Sequence, residues 1–151
     1  MNITTTPTVS TNVAAVHEIY VAFGGGDVPA FMDKLADELR WESDWENNYA
    51  QHDNGPAHFT PHADKAGVTQ FFQVMSGYTF HELQVVDVIG AGDKIVAQVK
   101  LEYTMPSGGR YRDEQLHLWT FGQAGKVVAL RHFLDTAKLL AATRGEDTTL
   151  S

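Results

Sequence analysis

The chain has no cysteine. That absence excludes thiol nucleophiles, disulfides and cysteine-ligated metals together, and it leaves the redox compartment open. Positive charge is also scarce: eleven Lys and Arg stand scattered against nineteen Asp and Glu, for a formal net charge of -8. Phosphate backbones are bound by clustered cations, so no nucleic-acid partner is expected. No apolar run approaches the length needed to cross a bilayer, so no membrane partner is expected either. The start, MNITTTPTVSTN, lacks the basic and apolar regions of a secretory signal, which makes a cytoplasmic location the default reading.

What the sequence does have is an ordinary globular balance, 43% hydrophobic and 20% charged over 151 residues. That suits one domain large enough to hold a core and a cavity. Residues 1–10 and 144–151 are polar, small and Thr-rich, and read as disordered tails around a single domain over 11–143. Val13, Val16, Tyr20 and Phe23 recur at helical spacing after Thr11, and Gly24-Gly25-Gly26 ends that helix. Asp27 caps a second helix and Asp64 a third, the latter turning Val68, Phe71, Phe72 and Met75 inward. A short strand over 39–44 and a long polar loop over 46–63 separate them.

From Thr79 the period changes to two. Strands are expected over 79–90, 93–105, 110–122 and 126–135, joined by glycine-containing turns, with a last short helix over 136–143 capped by Asp135. Helices followed by an antiparallel meander make an α+β domain: a cone-shaped, curved antiparallel sheet with three N-terminal helices on its concave face. Such a sheet leaves a cavity beneath the helices, where small molecules bind.

The chemistry-bearing residues cluster in two places. His117, Trp119 and Phe121 share one strand face, and His132 lies on the next strand. His117 is either a satisfied core group or a pocket group able to exchange a proton near its ordinary pKa of about 6.5, and His132 either a partly exposed histidine at a sheet edge or a pocket group. Trp41, Glu42, Asp44 and Trp45 form an aromatic-acidic cluster, either gripping a ligand with a carboxylate base beside it or standing as core tryptophan and solvated acids. The spacing His58-x-x-x-His62 suggests a helical metal pair, but Pro61 argues against a helix there. No metal site and no cofactor is expected, and the 46–63 segment reads as a lid or a dimer contact.

The phrases IYVAFGGGD, LADELRWE, GVTQFFQVM and HLWTF…GKVVALRHFLDT resemble the nuclear transport factor 2-like superfamily, in its SnoaL-like, ketosteroid-isomerase-related branch. The resemblance spans 12–143 and implies the cone fold with a pocket. The isomerases' base position falls on Ser43, next to Asp44. Their oxyanion tyrosine falls on Ile19, next to Tyr20, and their oxyanion aspartic acid on His117. The related limonene-epoxide hydrolases carry Arg-x-Asp where this chain has Gln98-Val99-Lys100, and an acid where it has His132.

The reading is therefore a pocket for a small, largely apolar molecule, with His117, His132 and Asp44 as catalytic candidates. Tyr20, Trp41, Trp119, Phe72 and Tyr103 are the substrate-binding candidates. If the protein is an enzyme, it is a cofactor-independent isomerase, cyclase or lyase working by general acid–base catalysis. The alternatives are a non-catalytic binding or oligomerisation module and a divergent hydrolase. Apolar residues on both faces of the strands, and the habit of the family, suggest a homodimer through the outer sheet face.

Overall fold

Residues 9–24 show how local chemistry sets the path. In the computed structural model, which describes residues 9–150, helix α1 runs Val9–Gly24. It begins before Thr11, so the expected cap lies inside the helix; residues 1–8 and 151 lie outside the described residues. Gly26 ends the turn after α1 at φ +69, a backbone region open to glycine at little steric cost. Asp27 then caps α2 (Val28–Met32), its carboxylate accepting the Ala30 N–H at 3.1 Å. Strand β1 covers Leu35–Trp41, beginning four residues earlier than the pattern suggests.

The 46–63 segment is more structured than its polarity implies. Two 3-10 turns, Tyr49–Gln51 and Ala57–Phe59, fold it back, and β2 (His62–Asp64) pairs antiparallel with β1. Asp64 caps α3 (Lys65–Met75) through the Gly67 N–H at 2.7 Å. Strands β3 (Thr79–Ala91), β4 (Lys94–Thr104), β5 (Arg110–Phe121) and β6 (Val127–Phe133) follow as an antiparallel meander, and α4 (Thr136–Thr143) ends it.

The six strands lie in the order β2-β1-β6-β5-β4-β3. One pairing corrects the all-antiparallel expectation: β1 lies parallel to β6, Trp41 opposite Leu130. Parallel neighbours need a long connection rather than a hairpin, and the chain from β2 to β5 provides it. The class is α+β, with a curved, unclosed sheet and α1 to α3 supplied by the N-terminal half.

The concave face carries the core. Ile95, Ala97, Val99, Leu101 and Tyr103 alternate along β4 with the more exposed Val96, Gln98 and Lys100. They meet Val16 and Ile19 of α1, both fully buried. Each such side chain contributes roughly 1.5–3 kcal/mol by leaving water. No helix among the described residues is long and apolar enough to cross a membrane.

The C-terminal segment is not the free tail that its composition suggests. Residues 144–150 run beside the start of β5, with Arg110 donating its N–H to Glu146 O at 3.0 Å and accepting that of Thr148 at 2.8 Å. These backbone bonds hold it irrespective of side-chain polarity.

Candidate functional site

Beneath α1 and α3 the sheet encloses a cavity of about 60 Å³. Its walls are mostly aromatic and aliphatic: Phe23, Phe31, Trp41 and Phe71 on the helix side and beside it, Leu101 and Leu130 on the sheet. Tyr20, Phe23, Met75, Phe80 and Leu83 also line a larger outer groove, so these five form the boundary between the cavity and the surface. A space of this size holds a few waters and is well short of the roughly 150 Å³ that accommodates benzene.

The polar groups of the cavity come from period-two alternation on β5 and β6. Gln115, His117 and Trp119 share the inward face of β5, and His132 stands directly opposite His117 across the β5–β6 pair. The two imidazole centroids are 4.2 Å apart.

Both ring nitrogens of His117 are occupied by protein. Nε2 meets Gln115 Oε1 at 2.7 Å and Nδ1 meets the Tyr20 hydroxyl at 2.5 Å. Gln115 directs its amide NH₂ to Tyr111 Oη at 3.0 Å, so its carbonyl must accept from His117 Nε2–H. Nδ1 then accepts the Tyr20 O–H, and Tyr20 Oη in turn accepts the Trp119 indole N–H at 3.1 Å. Burial, reinforced by neighbouring His132, holds the His117 pKa well below its usual range. Burial likewise raises that of Tyr20, against the smaller lowering effect of the Trp119 bond. His117 is thus a neutral ring with a fixed tautomer.

His132 is held differently. Glu42 Oε1 accepts the His132 backbone N–H at 2.9 Å and also bonds its Nδ1. A carboxylate accepts only, so Nδ1 of His132 bears a ring hydrogen. Nε2 takes part in no hydrogen bond among the described residues. Glu42 is 1% exposed and adopts φ +56, a left-handed conformation that costs a side-chain-bearing residue on the order of 1 kcal/mol or more. The conformation ends β1 and brings the carboxylate beneath β6.

A third histidine closes another side. His58 is buried in the second 3-10 turn, with Nδ1 2.8 Å from Tyr78 Oη and Nε2 3.3 Å from Tyr103 Oη. Burial first, and His132 second, lower its pKa to about 3. Burial pushes Tyr78 up to about 12. Among the described residues no three His, Cys, Asp or Glu gather as ligands.

Of the residues singled out from sequence, His117, His132, Tyr20, Trp41, Trp119 and Tyr103 all line the cavity. Asp44 does not. It is exposed and paired with Arg40 Nε at 2.7 Å, because the chain turns outward after Glu42. Phe72 lines the outer groove, while its neighbour Phe71, about 100° further round α3, faces the cavity. Gln115 went unseen, although it lies two positions before His117 on the same face. His58 was weighed only as half of a metal pair, and the structure places it in the cavity wall. Glu42 was weighed beside Asp44 as a possible base, but not as the partner of His132, since strand alternation after Trp41 sends it to the opposite face.

The profile of the SnoaL-like domain matches residues 16–130. The chain belongs to the SnoaL-like domain family. Among solved structures this SnoaL-like domain is similar to an NTF2-like protein of unknown function from Burkholderia pseudomallei, with 23% identity, TM-score 0.70, and coverage of 87% of this chain and 96% of that one. It is also similar to an LEH-like epoxide hydrolase from M. tuberculosis, with 14% identity, TM-score 0.65, and coverage of 89% and 90%. A candidate polyketide cyclase from Pseudomonas putida gives 16% identity, TM-score 0.65, and coverage of 87% of this chain and 96% of that one. At these identities the likeness establishes the fold. No curated protein matches the chain.

Proposed function

We propose that this SnoaL-like domain binds a small, largely apolar molecule in the cavity and moves a proton on it, as an isomerase or cyclase does. The carrying observation is His132: Nδ1 is tied to buried Glu42, and Nε2 has no protein partner among the described residues in a mostly apolar cavity. A neutral imidazole with one nitrogen fixed and the other free is a general base, and it becomes a general acid once protonated. The pairing with Glu42 stabilises the imidazolium formed midway. His117 is a positioning residue, since its nitrogens are spent on Tyr20 and Gln115. Solved relatives described as an epoxide hydrolase and a candidate polyketide cyclase support acid–base chemistry on this fold.

The test uses 1-indanone in D₂O, with loss of its α-protons followed by NMR. The wild type accelerates exchange and His132→Gln returns it to the buffer rate. Equal rates for the two proteins overturn the reading, and binding without exchange identifies a ligand-binding module instead.

The outer sheet face supports a homodimer. Leu116 and Phe133 are register partners that stay 46% and 37% exposed, and Arg131 lies over the adjoining rings of Phe133 and Trp45, its guanidinium carbon 4.6 and 4.2 Å from their centroids. A second copy covering this strip gives a sedimentation mass near twice that of the chain at micromolar concentration; a monomer at high micromolar concentration excludes it.

A further inference from the structure

The carboxylate of Glu42 reaches His132 through Oε1 alone, and Oε2 has no hydrogen-bond partner among the described residues. Its position is therefore set from the backbone, which adopts φ +56 there. A left-handed residue with a side chain persists only where its surroundings hold it. On one side the Glu42 N–H donates to Leu130 O of β6 at 3.0 Å. On the other, the Glu42 carbonyl accepts from Gln51 Nε2 at 2.5 Å.

Gln51 is itself well anchored. It ends the first 3-10 turn, where the Asn48 side chain accepts the Ala50 N–H at 3.0 Å and the Asn48 carbonyl accepts the Gln51 N–H at 2.9 Å. The same Gln51 Nε2 also donates to Phe59 O, in the second 3-10 turn, at 2.9 Å. Both partners are carbonyl oxygens, which only accept, so the group facing them is the NH₂ and both of its hydrogens are spent. Phe59 in turn packs its ring against His132, with centroids 5.5 Å apart. One amide thus ties down two neighbours of His132: the acceptor of its Nδ1–H and an aromatic ring beside its own. Gln51 does not line the cavity.

We infer that Gln51 is the positioning residue for His132: its amide holds the left-handed backbone of Glu42, and with it the carboxylate that orients the imidazole. The inference rests on the acid–base reading of His132 and adds the residue, outside the cavity, on which the geometry of that base depends. Without the donor, nothing but the Leu130 bond resists relaxation of Glu42 into the extended region. There Glu42 would continue the alternation of β1, and its side chain would point away from the face that Trp41 occupies. The carboxylate would then leave Nδ1, and the ring would lose the partner that fixes its tautomer and tilt. The requirement is for a donor and not for bulk: an apolar side chain of the same length fills the space but offers no hydrogen to either carbonyl. The 46–63 segment thereby acts as a brace against the end of β1.

The experiment compares the wild type with Gln51→Met, which keeps the length of the side chain and removes the donor, with circular dichroism as the folding control. Proton NMR reads the His132 Nδ1–H, which resonates far downfield while a carboxylate accepts it. The expected result is a folded Gln51→Met in which that low-field signal is lost and α-proton exchange of 1-indanone slows by about tenfold or more, the cost of a misplaced catalytic group. A folded variant with the His132 signal unchanged overturns the inference even where signals of the 46–63 segment move, because Gln51 then does no more than pack its own loop. Where Gln51→Met fails to fold, the wild type decides. Its Gln51 side-chain NH₂ exchanges with water more slowly than that of exposed Gln70 if both hydrogens are held, and equal rates overturn the inference. The two readings fail separately. Loss of the His132 signal in Gln51→Met, beside a wild type that exchanges no α-protons, keeps Gln51 as the positioning residue and removes the acid–base role. Equal exchange in both proteins with the signal intact keeps the base and removes Gln51.

Discussion

His117 and His132 face each other across the β5–β6 pair with ring centroids 4.2 Å apart, yet only His132 keeps a nitrogen free of protein partners. Two identical side chains in one cavity are thereby given different work. The first is frozen neutral between Tyr20 and Gln115, and the second is poised on a carboxylate.

That carboxylate sets the tautomer. Glu42→Gln keeps the volume and removes the charge, and its amide NH₂ can donate to His132 Nδ1, which moves the ring proton to Nε2. The α-proton exchange rate of 1-indanone is then expected to fall at least about tenfold, since the wrong tautomer disables a histidine base. Nitrogen-15 chemical shifts of His132 report the tautomer directly. An unchanged rate with a flipped tautomer removes His132 from the chemistry.

His117→Phe keeps the ring volume but strips two bonds. Gln115 Oε1 loses its donor and the Tyr20 O–H loses its acceptor, both in buried surroundings. Urea unfolding is expected to show a loss of about 2 kcal/mol or more, because an unsatisfied buried polar group costs about 1–3 kcal/mol. A neutral result means that the network relaxes onto water.

Acid should destabilise the fold from about pH 6.5 downward. His58, faced by Tyr78, Tyr103 and His132, and His117, faced by Tyr20, Gln115 and His132, both have depressed pKa values, about 3 for His58. Unfolded, each binds a proton below about 6.5; folded, it does not. The unfolded state therefore binds more protons, and stability falls as pH drops below 6.5, by up to about 1.4 kcal/mol per pH unit for each ring. Urea midpoints measured from pH 7.5 to 5 check this, and a flat profile across that window contradicts it.

Met75 stands on the boundary between the cavity and the outer groove and is 9% exposed. Met75→Ala removes part of that wall. Its stability cost is expected to be about 2 kcal/mol, the lower end for a buried methionine. Indane should bind more tightly to this variant, because the cavity no longer has to open for a ring. Weaker binding would show that the thioether contacts the ligand rather than blocking it.

How far the sequence reached depended on where backbone and pattern agreed. Alternation on β4 and β5 identified the inward faces, so Trp119, His117 and Tyr103 were legible as neighbours in space. Asp64 and Asp135 were legible as caps because their carboxylates accept N–H groups three residues on. Glu42 was weighed beside Asp44 as a possible base, but its contact with His132 was not legible, since its left-handed φ breaks the alternation that sequence reading assumes. Phe71 and Phe72 are adjacent aromatics on one helix, and composition does not fix the rotation that separates cavity from groove. The order of residues 144–150 comes from backbone bonds to Arg110, which leave no mark on side-chain polarity.

From Trp119 a line of hydrogen bonds passes through Tyr20, His117, Gln115 and Tyr111 to Asp113, whose carboxylate also accepts the N–H of Asp135 at 2.9 Å, just before α4. It has the outline of a conduit to the surface, but a primary amide neither gives up nor takes on a proton near neutral pH. Gln115 is therefore an insulator. It transmits orientation from the surface to the cavity while blocking charge, so the Nε2 hydrogen of His117 is shut off from solvent in that direction. Its proton resonance should persist in water as a slowly exchanging ring signal, and Gln115→Glu should erase it by giving that hydrogen a carboxylate through which to leave.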